Sequence, residues 1–186
     1  IKVPPDGLPI IAYYDATSTA LKTAKCSNAA CIGFGSAVIK TVDNSADVGL
    51  YAAVAIGADA LPVISYFDRS AGDLKVAKCN DATCSSRSIS IVDTQGDTGN
   101  YSSITVPGDG LPIIAYQGGV SASATSRLAI AKCLDPSCSA STRSLIDSAP
   151  NAGYPTSIAI GSDGLPIVAY GREVGAGKWV ILVSRC

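Results

Sequence analysis

Histidine and methionine are absent from this 186-residue chain, and Glu173 is its only glutamate. Without His there can be no Ser/His/Asp triad, no Cys/His pair and no His-ligated metal within it. Charge is scarce: 14 Lys+Arg and 15 Asp+Glu make 16% of residues, where about a quarter is usual. At a net charge of −1 nothing electrostatic favours nucleic acid or an anionic membrane as partner. No run of about 18 apolar residues occurs, which excludes a transmembrane helix. An initial Met and the charged and apolar regions of a signal peptide are also missing, so either a leader has been removed or the sequence is an excerpt.

What is there is apolar and heavily punctuated. Hydrophobic residues reach 47%, broken up by 18 Gly and 10 Pro, which suits neither a disordered tail nor a helical bundle. The length suits one domain, residues 1–186, with a full core. Self-similarity then fixes its architecture. Gly7-Leu8-Pro9-Ile10-Ile11-Ala12-Tyr13 returns at 60–66, 110–116 and 164–170. Ala24-Lys25-Cys26 returns as Ala77-Lys78-Cys79, Ala131-Lys132-Cys133 and Ser184-Arg185-Cys186, with the cysteines spaced by 53, 54 and 53. Val42-Asp43, Val92-Asp93 and Ile146-Asp147 keep the same period, as do the segments that open on Tyr51, Tyr101 and Tyr154.

Each unit of about 53 residues reads as four short strands, in the second unit 52–56, 62–67, 74–79 and 88–92. The Gly57-Ala58-Asp59-Ala60 segment supplies a hairpin turn, and Pro62 opens the next strand where its missing N–H costs least. No segment carries a helical period. The fold class is therefore all-β, a β-propeller of four-stranded antiparallel blades with roughly four blades present. A parallel β-helix, whose coils are shorter, is the runner-up.

The pattern Ser-Ile-Ala-Ile-Gly-x-Asp-Gly-Leu-Pro-Ile-Val-Ala-Tyr, followed by Leu-Lys-Val-Ala-Lys and a Val-Asp end, resembles the blades of bacterial secreted β-propellers. The resemblance implies that the Ser-Ile-Ala-Ile strand lines a central channel and the later strands step outward. In that phase the blades span about 1–43, 51–93, 101–147 and 154–186, and Ile1–Gly7 aligns with Ile104–Gly110. Fifteen strands of a nominal sixteen are expected, the last blade lacking its outer strand after Cys186. This predicts a segment of a longer chain and a larger ring; the alternative is a four-bladed ring whose last strand another copy supplies.

Cys26/Cys31, Cys79/Cys84 and Cys133/Cys138 recur together in each period, so each pair is most simply an intra-blade disulfide, with Cys186 unpaired. Disulfides imply an oxidising compartment, and the expected location is secreted, extracellular or at the cell surface. A metal reading would need pairs from different blades to converge.

The loops after the second and fourth strands gather on the usual ligand side of a propeller. They place Tyr14, Asp15, Asp43, Asp47, Phe67, Asp68, Asp93 and Asp97 on a polar rim suited to sugar hydroxyls or, more weakly, to Ca²⁺. The competing reading is that each repeated Asp caps its own turn. The third unit departs from the others in the Ser-rich loop 117–126, a place for a private site, and Asn100-Tyr101-Ser102 is a formal glycosylation acceptor.

Catalysis is not expected from this pattern. A sialidase would need three converging Arg, yet Arg87, Arg143 and Arg185 fall on or near outer strands, and Arg69, Arg127 and Arg172 complete the set. The Asp-box is missing, and a glycosidase needs two placed carboxylates. The expectation is a non-catalytic extracellular module with a structural, self-assembly or binding role and no cofactor. A lectin-like propeller is the alternative and a fragment of a propeller glycosidase the third reading. Expected partners are another copy, other segments of the same protein, or a glycan.

Overall fold

The computed structural model describes residues 1–33, 35–119, 126–175 and 177–185. It is a β-propeller in which each sequence period forms one antiparallel sheet. Blade 1 is β1 (Ile10–Asp15), β2 (Ala20–Cys26) and β3 (Ala37–Asp43). Blade 2 is β4 (Val48–Ile56), β5 (Pro62–Asp68), β6 (Asp73–Cys79) and β7 (Arg87–Asp93). Blade 3 is β8 (Asn100–Thr105), β9 (Ile113–Gly118), β10 (Arg127–Cys133) and β11 (Ser141–Asp147). Blade 4 is β12 (Ala152–Ile160), β13 (Pro166–Gly175) and β14 (Lys178–Arg185).

Fourteen strands are thus formed among the described residues rather than fifteen. In blade 1 the expected innermost strand reduces to a single bridge, Lys2 to Ile10. Pro4 and Pro5 follow at once, and neither can donate to a ladder. The turn chemistry survives there, with the Gly7 N–H donating to the Pro4 carbonyl at 3.0 Å.

Strand alternation sends one face of each blade to the blade before it and the other to the blade after it. Ile10, Leu21 and Val42 of blade 1 pack on Val54, Ile64 and Tyr66 of blade 2. Val63, Leu74 and Val76 meet Ile104, Ile114 and Tyr116 of blade 3. Ile113, Leu128 and Ile130 meet Val168 and Tyr170 of blade 4. The core is therefore three sandwiched interfaces, with β4, β8 and β12 adjoining on the channel side.

Two polar devices repeat with the blades. In each hairpin turn the Asp accepts the N–H of the Leu two residues on: Asp6 from Leu8, Asp59 from Leu61, Asp109 from Leu111 and Asp163 from Leu165. The base before each repeated Cys pairs with that Asp, as in Lys25–Asp6 and Lys78–Asp59, both 2.7 Å, and Arg185–Asp163. This fixes the Ala-Lys-Cys marker physically: Lys reaches back over the hairpin while its neighbours pack inward.

The second device is the disulfide. Cys26–Cys31, Cys79–Cys84 and Cys133–Cys138 are formed, with Cα separations of 5.2, 4.7 and 4.8 Å. The second Cys of each pair takes a left-handed backbone, φ 54°, 64° and 58°, which closes the short loop. Cys186 lies outside the described residues. Replacing Cys79 and Cys84 together by Ala is expected to lower stability by about 2 kcal/mol, the loop-closure entropy of so short a ring. Equilibrium urea unfolding reads this, and an unchanged midpoint would contradict it.

Candidate functional site

The inner strands of blades 2, 3 and 4 begin alike: Val48-Gly49-Leu50-Tyr51, Thr98-Gly99-Asn100-Tyr101 and Ala152-Gly153-Tyr154. Gly49 and Gly99 sit at φ +105° and +102° directly against the preceding blade. A Cβ there would lie 2.6 Å from Leu21 Cα and 2.8 Å from Leu74 Cα. Only glycine allows both the angle and the approach. Each strand then loses register with its neighbour: β4 pairs Leu50 with Phe67 and next Ala53 with Ser65, and β8 and β12 shift likewise. These bulges hold Tyr51 and Tyr101 at φ 53°, a left-handed backbone that L residues with large side chains rarely adopt.

Strain of this kind persists where the surroundings over-determine it. Here hydroxyls of the next inner strand reach the exposed bulge carbonyls. Ser102 donates to the Tyr51 carbonyl at 3.1 Å and Thr156 to the Tyr101 carbonyl at 2.6 Å.

The consequence is a continuous aromatic row across the blades. The Phe67 and Tyr51 rings are 6.3 Å apart, Tyr51 and Tyr101 4.2 Å, Tyr101 and Tyr154 4.2 Å, and Tyr154 and Trp179 5.2 Å. The Tyr51 hydroxyl donates to that of Tyr101 at 3.2 Å. Burial and the hydroxyls of Tyr51 and Tyr154 push the Tyr101 phenol above its ordinary pKa, so it stays neutral at any physiological pH. Tyr51, Tyr154 and Trp179 remain open to solvent while Phe67 is buried behind them.

Blade 4 extends this surface. Its hairpin β13–β14 is longer than the corresponding pairs, and it sets Glu173 opposite Trp179. Glu173 accepts Asn151 Nδ2 at 3.0 Å and the Gly177 N–H at 2.9 Å. A cleft of about 590 Å³ beside it is lined by Pro150, Asn151, Arg172, Glu173 and Val174. Asp147 adjoins through Arg172, 3.0 Å away, and also accepts the Tyr170 hydroxyl at 2.9 Å and the Ala149 N–H at 2.8 Å. Burial raises its pKa, but these donors outweigh burial and hold Asp147 below the usual carboxylate range, hence ionised.

The residues expected on the ligand rim divide among other tasks. Asp43 and Asp93 are buried and serve the blade interfaces. Tyr66 donates to Asp43 at 2.8 Å with Lys75 Nζ at 3.0 Å. Tyr116 donates to Asp93 at 2.7 Å, and Arg143 Nε stands 2.8 Å from the same carboxylate without aligning for a hydrogen bond. Asp15 caps the Thr17 N–H at 3.0 Å and pairs with Lys22. Asp68 caps Ser70 and Ala71 and lies 3.3 Å from Lys75. Tyr14 donates to Asp47 at 2.7 Å, with Arg69 3.7 Å from that carboxylate. Asp97 lies against Gly72. Only Phe67 of this set joins the aromatic row.

Among the described residues no three His, Cys, Asp or Glu side chains come together as a cation site. The Ser-rich loop of blade 3 falls largely on residues 120–125, outside the described ones. The aromatic row was visible in sequence only as the repeated Tyr51, Tyr101 and Tyr154, each one or two residues after a Gly, and Trp179 carried no repeat signal at all.

Capped and paired carboxylates set an acid limit. Bonds from Lys22, then Ser18 and Thr17, hold Asp15 at a pKa of about 2. Burial raises Asp43, but the Ser45 N–H, Lys75 and Tyr66 bring it below its ordinary value. Folded values below the unfolded value of about 3.9 confer stability above that pH, and it is lost as pH falls through the folded values. Melting temperature is therefore expected to hold steady from pH 7 to 5 and to fall between about pH 4 and 2. A melting temperature that rises on acidification would contradict this.

No family model matches the chain, and no curated protein sequence does. Solved structures do share its fold. An endo-arabinase of Bacteroides thetaiotaomicron superposes with a TM-score of 0.52 at 9% identity, covering 96% of this chain and 74% of its own. An endo-1,4-beta-xylanase of the same organism gives 0.52 at 10% identity, with 95% and 70% covered. The arabinanase of Bacillus subtilis gives 0.53 at 12%, with 89% of this chain and 63% of its own. The propeller fold is thereby established independently of the repeat.

The same similarity corrects the expectation of a non-catalytic structural or binding module. The propellers that resemble this one are named as an endo-arabinase, an endo-1,4-beta-xylanase and an arabinanase, so this fold is one that carries catalysis and the repeat pattern gives no ground for excluding it. The physical reason for the error is specific. Missing Arg clusters and Asp-boxes exclude only sialidase chemistry, and reasoning from what repeats discounts Glu173, which occurs once.

Proposed function

We propose that this chain is a polysaccharide-processing propeller of the glycoside hydrolase kind. It seats a glycan chain along the row Tyr51, Tyr101, Tyr154 and Trp179 and presents it to the carboxylates of blade 4. The observation that carries this reading is the row itself: rings with centroids 4.2 to 5.2 Å apart across three blades, Tyr51 and Tyr101 held on strained bulges, with Tyr51, Tyr154 and Trp179 open to solvent and Tyr101 half-buried between them. Aromatic faces offer apolar area at low entropic cost to the C–H faces of sugar rings, and hydroxyl tips bond their polar edges.

Hydrolysis of a glycosidic bond needs an acid and a second carboxylate. Glu173, which lines the cleft, is the candidate acid, and Asp147, ionised beside Arg172, is the candidate base or nucleophile. The three disulfides fit a protein working in an oxidising compartment outside the cytosol.

Reducing-end release from arabinan and xylan tests the reading. The wild-type chain is expected to liberate new reducing ends from one of them, and Glu173→Gln to lose at least about 100-fold, the usual worth of a general acid. Absence of both release and retention of the wild type in arabinan and xylan gels would contradict it.

A further inference from the structure

Of the eight tyrosines, three are shut away at blade interfaces. Tyr66, Tyr116 and Tyr170 are buried, and each gives its hydroxyl to a carboxylate, Asp43, Asp93 or Asp147. Tyr51 and Tyr101 are placed differently. Their hydroxyls meet one another at 3.2 Å, and their ring centroids are 4.2 Å apart. The oxygens are closer together than the ring centres, so the two rings lean towards each other at their hydroxyl ends. The carbons ortho to each hydroxyl belong to those facing ends.

The contact is built into the fold. Both residues sit at φ 53° on bulges of neighbouring inner strands, and the Ser102 and Thr156 hydroxyls hold the two bulge carbonyls. Such a backbone persists only where its surroundings over-determine it, so the pair is organised before any reaction. Tyr51 is 39% exposed and can be reached from solvent.

A phenol that loses one electron and its proton becomes a phenoxyl radical, whose unpaired spin is shared between the oxygen and the ortho carbons. Two such radicals held ring to ring join through those carbons. We propose that Tyr51 and Tyr101 are a site of oxidative cross-linking, forming a dityrosine staple between the inner strands of blades 2 and 3. The oxidant is hydrogen peroxide acting through a haem peroxidase. Each phenol gives up one electron and one proton, and a carbon–carbon bond forms between the two rings. The ortho hydrogens then shift to the oxygens and restore both phenols. The two electrons and two protons reduce one peroxide to two waters. The oxidising surroundings that the three disulfides imply suit this chemistry. The link spans 50 residues of sequence and constrains the unfolded chain as a disulfide over that span would. It needs neither a bound glycan nor the carboxylates of blade 4, so it stands apart from the glycan reading.

Treatment of the 186-residue chain with hydrogen peroxide and a haem peroxidase, followed by intact mass and peptide mapping, tests it. The expected product is a monomer two hydrogens lighter, with the blue emission of dityrosine, in which Tyr51 and Tyr101 fall in one branched peptide. At about 1 µM protein this product is expected to exceed linked dimers at least about 100-fold, because a held pair has an effective concentration of millimolar or more. Its melting temperature should rise by about 10 °C. Tyr51→Phe and Tyr101→Phe keep the rings and should each abolish the linked monomer, while Tyr14→Phe should leave it intact. A monomer linked through any other pair of tyrosines overturns the proposal, as does a link that leaves the melting temperature unchanged. So do linked dimers as the main product, or oxidation of Trp179 with no link formed.

Discussion

Asp93→Ala is expected to lower the stability of the fold by about 3–5 kcal/mol, the cost of leaving a buried charge unpartnered. Its carboxylate is buried between blades 2 and 3, where it accepts the Tyr116 hydroxyl at 2.7 Å and the Gln95 N–H at 3.0 Å and neutralises Arg143. Without it the guanidinium and phenol lose their shared partner inside the interface. In a chain of this size that corresponds to a fall in melting temperature of about 10 °C. The same change at Asp147 should cost less, because Arg172 and Asp147 are both more open than Arg143 and Asp93. Tyr116→Phe removes one hydrogen bond and is expected to cost about 1–2 kcal/mol. Differential scanning calorimetry ranks the three, and an Asp93→Ala protein within about 0.5 kcal/mol of wild type would refute the latch.

Tyr101→Ala is expected to weaken polysaccharide binding about thirtyfold, which is the 2 kcal/mol of a central aromatic hot spot. Tyr101 touches both Tyr51 and Tyr154, so its removal splits the row into two pieces rather than shortening it. Its left-handed backbone adds a second readout. Glycine accepts φ 53° freely where alanine does not, so Tyr101→Gly should be more stable than Tyr101→Ala by about 1 kcal/mol. Both variants should lose binding equally. If binding instead tracks stability across the pair, Tyr101 acts as packing rather than as part of the glycan surface. Affinity electrophoresis in arabinan and xylan gels, with calorimetry alongside, separates the two outcomes.

The periodic parts of this molecule could be read without coordinates because each repeated residue does a repeated job. Val42-Asp43 and its copies end an outer strand and feed the latch to the next blade, and the Lys of Ala-Lys-Cys closes the hairpin through its Asp. The cysteine pairs needed only their constant spacing. What periodicity could not convey is direction. Asp43 and Asp93 fall at loop starts, where exposure is the ordinary expectation, but Tyr66 and Tyr116 draw them into the interfaces. Tyr51 and Tyr101 read only as the residues that open each repeated segment, whereas bulges within the inner strands turn them out of the sheets. Trp179 and Glu173 depend on a blade 4 hairpin longer than its counterparts, so no comparison between repeats announces them.

Trp179 is the sole tryptophan and stands at the end of the aromatic row, so its fluorescence reports directly on whether a glycan lies there. Titration with arabinan- or xylan-derived oligosaccharides is predicted to shift its emission to shorter wavelength in a saturable manner. Tyr154→Ala, which removes the ring beside it, should reduce the apparent affinity. Emission unchanged at millimolar oligosaccharide of both kinds would contradict the assignment of this surface to polysaccharide.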